Sequence, residues 1–73
     1  VTSPMRERIL ALAEAPPMQI DPWVTERLRV LADAPTAEGM KAILDHCARF
    51  SAASDFAMVA MDAVWRELQK PEA

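Results

Sequence analysis

Ser51-Ala52-Ala53-Ser54-Asp55 decides the architecture of this chain, because strong helical periodicity runs up to it and away from it. Read as a turn, the pentad ends one helix and caps the next, since Ser and Asp side chains accept from the free N–H groups of a helix start. Read as helix interior, it lets one long helix run from about Thr36 to Gln69. In that register Met40, Cys47, Ser54, Met61 and Leu68 take heptad position a, with Ile43, Phe50, Ala57 and Val64 at d. Ser54 and Ala57 are weak seam residues, and serine suits a cap better than a helix interior. The turn is the reading adopted, with the long helix as its competitor.

On the N-terminal side of the pentad, Thr36 is a cap candidate with Glu38 placed to meet the helix dipole. Met40, Ile43, Leu44, Cys47 and Phe50 form one face, and Lys41, Asp45 and Arg49 form a solvated row opposite. On the C-terminal side, Phe56, Ala57, Ala60, Met61, Val64, Trp65 and Leu68 give the strongest apolar periodicity in the chain.

Prolines mark the remaining corners. Ser3-Pro4 and Asp21-Pro22 each place a capping side chain before a proline at the first helical position, where its missing N–H costs nothing. The first helix buries Met5, Ile9, Leu12 and Ala13 and stops before Pro16-Pro17. Residues 16–20 form an extended linker in which Met18 and Ile20 turn back onto the core. The second helix buries Val24, Leu28, Leu31 and Ala32, and Ala34-Pro35 closes it. Trp23, Arg27 and Val30 lie on the adjacent row, with Arg27 one turn on from the Trp23 ring. The fold class that follows is all-α: a small bundle of three to four short helices with proline-marked corners. One domain covers residues 1–73, with helices at about 4–15, 22–34, 36–50 and 52–69. Residues 7–16 and 26–35 resemble each other, as expected when two amphipathic helices of similar length both end at proline.

Eight Lys and Arg against eleven Asp and Glu give a net charge of −3, which disfavours nucleic acid and anionic membrane surfaces as partners. No apolar run reaches the length a spanning helix needs, and Val1 to Arg8 reads as a charged helix start rather than a leader. A start at Val1 fits either a trimmed methionine or a piece of a longer chain. Cys47 is the single cysteine and has no intramolecular disulfide mate, which points to a reducing, cytoplasmic setting.

Asp45-His46-Cys47 looks like a catalytic trio, but consecutive helical side chains diverge by about 100° and cannot meet on one atom. His46 reads as a boundary histidine close to Phe50, and Cys47 as a buried, inert thiol. A single His beside a single Cys supplies no zinc site, and Gly39, the one glycine, cannot build a phosphate loop. No catalytic, metal or cofactor-binding residues are assigned. The second and third helices could form a helix-turn-helix, but Ala37-Glu38-Gly39 would present an acid to DNA.

The functional clue is surplus apolar surface: 52% of 73 residues are hydrophobic, more than a fold this small hides comfortably. On the last helix, apolar positions from Ala63 and Phe56 round to Met58 span about 220°, against a usual stripe of about 100°. Either this helix is central in the bundle or part of it faces a partner. Met58, Met61 and Trp65 are the expected partner-binding residues, with Trp23 contributing from the second helix. The expected function is non-catalytic: protein association as a homodimer or as an accessory or regulatory subunit. The alternatives are an acidic inhibitor that captures another protein, such as a DNA-binding protein, then a small helix-turn-helix regulator or a small enzyme.

Overall fold

A computed structural model describes residues 4–14 and 20–70. Ser3, Ala15 and the linker positions Pro16, Pro17 and Met18 lie outside the described residues. Among the described residues four helices follow one another: α1 (Pro4–Glu14), α2 (Pro22–Asp33), α3 (Ala37–Phe50) and α4 (Asp55–Gln69).

Among the described residues, side chains cap the starts of α2, α3 and α4. The Asp21 carboxylate accepts from the Trp23 N–H at 2.8 Å, with Pro22 directly behind the cap. Thr36 Oγ1 accepts from the Gly39 N–H at 3.0 Å, so Thr36 is the cap of α3 rather than its first helical residue. Ser54 Oγ accepts from the Ala57 N–H at 3.2 Å, which starts α4 at Asp55 and not at position 52.

The pentad is a turn. Ser51 takes the left-handed conformation at φ 51°, ψ 43°, and the Ala52 N–H returns to the Cys47 carbonyl at 3.2 Å. That six-to-one bond closes α3 as a Schellman-type end, with serine where glycine is usual. Ala52 and Ala53 then act as a spacer with a second use. The Asp21 N–H donates to the Ala52 carbonyl at 2.7 Å, and Ile20 and Ala53 form an antiparallel bridge. The segment entering α2 is thus tied to the α3–α4 turn, and Ile20 packs against the core, as expected for that residue.

Each helix packs on its sequence neighbour, and α1 meets α4 to close the ring. The buried stripes of α1 and α2 are those the spacing predicts: Ile9, Leu12 and Ala13 with Met5 half-buried, then Val24, Leu28, Leu31 and Ala32. Met40, Ile43, Leu44 and Cys47 supply α3, while Ala57, Met61 and Val64 supply α4. Two expectations are corrected here. Phe50 is 63% exposed and Phe56 is 67% exposed, so neither belongs to the core. Each sits at the rim of its apolar arc, where a neighbouring helix decides burial and here leaves it open.

Gly39 marks the closest approach of α3 to α2. A Cβ added there would lie 2.6 Å from Leu31 Cδ1 and 2.9 Å from Thr36 Oγ1, so the glycine is needed for contact rather than for backbone freedom.

Candidate association surface

Met61 is 1% exposed and packs in the core, which removes it from any partner-facing set. The reason is rotational: α4 turns the row of Ala57, Met61 and Val64 inward, near the middle of its wide apolar arc. Met58 and Trp65, one edge of that arc, are half-buried and line a groove of about 410 Å³ between α3 and α4. Lys41 Nζ lies 5.3 Å above the Trp65 ring and 3.3 Å from Asp45 Oδ1, so the groove has a charged lip. Val59, 72% exposed, lines the same groove from its outer side. Phe56, one turn before it, and Ala63, one turn after it, are exposed beyond the groove. Of the three residues expected on α4, Met61 is thus buried and Met58 and Trp65 stay partly open, while Phe56, Val59 and Ala63 are exposed beside them.

Trp23 lies across α3 from Met58 and Trp65, in a second groove of about 450 Å³ between α2 and α3. It is 41% exposed and shares this groove with Arg27, Val30 and Ala42. The Arg27 guanidinium sits 5.1 Å from the Trp23 ring centroid, as the four-residue spacing predicts. On the other face, His46 stacks on Trp23 at 3.9 Å with the planes 22° apart, and Phe50 meets His46 at 4.8 Å. Arg27, Trp23, His46 and Phe50 thus form one surface stack joining α2 to α3. Sequence spacing supplies its two local pairs. The Trp23–His46 contact, which links them, spans two helices and has no local signal.

His46 is accordingly held as a ring between two aromatic neighbours, and Cys47, one residue on, points the other way into the core. Burial pushes the Cys47 thiol above its ordinary pKa, and the Asp21 carboxylate adds to the rise. A thiol so placed stays protonated and is a poor nucleophile. Among the described residues, no three His, Cys, Asp or Glu side chains gather as a metal site. No helix among them is long and apolar enough to cross a membrane.

The charges around the grooves are solvated pairs, such as Arg66 with Asp62 at 2.8 Å and Arg6 with Asp33 at 3.5 Å. Exposed pairs of this kind contribute about 0.2–1 kcal/mol each and do not set the character of the surface. Its character is aromatic and aliphatic, with charge at the rims. Glu38 is exposed at the N-terminus of α3, with no basic residue on that helix before Lys41. Comparison with protein-family models, with curated proteins and with solved structures gives no match to this chain.

Proposed function

We propose that this is a non-catalytic protein acting through helix-mediated association, as a homodimer or as an accessory subunit. One observation carries the reading. Among the described residues the core closes around fifteen buried apolar side chains, while Trp23, Val30, Phe50, Phe56 and Val59 stay exposed outside it. Burying such side chains against a partner is worth about 25 cal/mol per Å² of apolar surface removed from water. Aromatic anchors in grooves are also where binding energy concentrates. A cytoplasmic setting belongs to the same reading, supported by a lone cysteine that is buried and inert.

The test compares wild type with a Phe56→Ser, Val59→Asp double variant, each immobilised and challenged with free copies of the chain and with extract of its source cells. Both positions are exposed, so the variant keeps its helical circular dichroism. Association is expected to retain the free chain or a defined protein on wild type and to lose it on the variant. Equal retention by both, or none by either, overturns the reading.

A further inference from the structure

The outer strip of α4 is complementary to itself when a second copy is laid against it in the opposite direction. Phe56 and Val59 lie toward the start of the strip, and the alanines Ala60 and Ala63 follow them. Phe56, Val59 and Ala63 are exposed and Ala60 is half-buried. Antiparallel pairing about a two-fold axis between Val59 and Ala60 sets each Phe56 over the partner copy's small position 63, and each Val59 over position 60. Large side chains then meet small ones at the two ends of the strip, and the two Val59 side chains meet each other at the axis. Charge agrees with shape. Asp55 and Arg66, both exposed, stand at opposite ends of the strip, so the same pairing brings each Asp55 toward the other copy's Arg66, which also holds Asp62 of its own helix at 2.8 Å. A parallel pairing would oppose acid to acid, arginine to arginine and phenylalanine to phenylalanine. Antiparallel helix dipoles favour the same choice.

We infer that α4 pairs antiparallel with α4 of a second copy through Phe56, Val59 and Ala63, forming an isologous dimer. This rests on the association reading and names its partner. A strip of four side chains on one helix is a small contact, so the dimer is expected to build up with concentration.

Single cysteines test the geometry, since Cys47 is buried and does not compete. At about 1.5 Å rise per residue, two Val59→Cys chains place their cysteines almost level across the axis, within reach of a disulfide. Two Phe56→Cys chains place theirs about 10 Å apart along the axis, beyond the roughly 7 Å limit between Cα atoms. Under mild oxidation Val59→Cys is expected to cross-link to itself, and Phe56→Cys and Ala63→Cys only when mixed with each other. Ala63→Glu, at an exposed position that leaves the fold intact by circular dichroism, is expected to return the mass to 8.1 kDa. Self-cross-linking of all three variants, or a dimer that ignores Ala63→Glu, overturns this inference and leaves association standing. A wild type that is monomeric alone but retains another protein does the same. A chain that retains neither itself nor another protein overturns both.

Discussion

Replacing Ser51 by glycine has a sign that separates a left-handed turn from a continuous helix. Ser51 sits at φ 51°, ψ 43°, where a residue with a Cβ is about 1–2 kcal/mol worse off than in the right-handed region. Glycine relieves that strain but loses more backbone freedom on folding, about 0.5–1 kcal/mol. The balance makes Ser51→Gly more stable than wild type by about 0.5–1 kcal/mol, or about 2–8 °C in a domain of this size. Inside an uninterrupted helix the same change would destabilise, since glycine is about 0.5 kcal/mol worse than serine there. The assay is urea denaturation followed by helical circular dichroism at one fixed protein concentration, because association shifts the midpoint by mass action. Ser54→Ala is the companion. It removes the hydroxyl that accepts from the Ala57 N–H and is expected to cost about 1 kcal/mol, whereas in a helix interior alanine would be the better residue. A less stable Ser51→Gly together with a more stable Ser54→Ala would refute the turn.

Other consequences are equally direct. Gly39→Ala gains up to about 1 kcal/mol of helix propensity but meets Leu31 Cδ1 at 2.6 Å and crowds the Thr36 cap. Overpacking of about 1–3 kcal/mol outweighs that gain, so a lower urea midpoint is expected, and a higher one would show that Leu31 yields freely. Leu28→Ala empties a fully buried site and is expected to cost about 2–5 kcal/mol, enough to leave a domain this small largely unfolded by circular dichroism. The raised pKa of Cys47 makes the folded protein hold a proton that the unfolded chain releases above its ordinary value of 9.0. The resulting stability is complete below that pH and declines as pH rises toward the folded value. Urea midpoints on either side of about pH 9 should therefore fall less steeply in Cys47→Ala than in wild type.

Much of this architecture is legible in the sequence because it is local. Proline at the first helical position marks the starts of α1 and α2, the Asp21 cap before Pro22 reinforces the second, and one-turn spacings identify the buried stripes of both. Boundaries differ where a cap side chain reads like helix, at Thr36 and Ser54, and where Ala52 and Ala53 fit the α4 pattern although they bond back to the segment before α2. The candidate surface was harder to place, for a physical reason. An apolar arc of about 220° says that one helix has more apolar surface than one contact needs, but not which part faces inward. That choice belongs to the neighbouring elements, since Leu12, Ile20 and Leu28 gather beside Met61 while Phe56 is left open. Trp23 and His46 show the same limit, since their stack joins helices whose mutual rotation no spacing rule supplies.

The central claim is that the outer strip of α4 is covered when the protein works. Hydroxyl-radical labelling of Phe56 and Val59 measures this directly, in dilute purified protein and again in concentrated protein and cell extract. Labelling of both residues is expected to fall on assembly while that of Leu10, half-buried on α1, stays constant. Equal labelling of Phe56 and Val59 under every condition would contradict it.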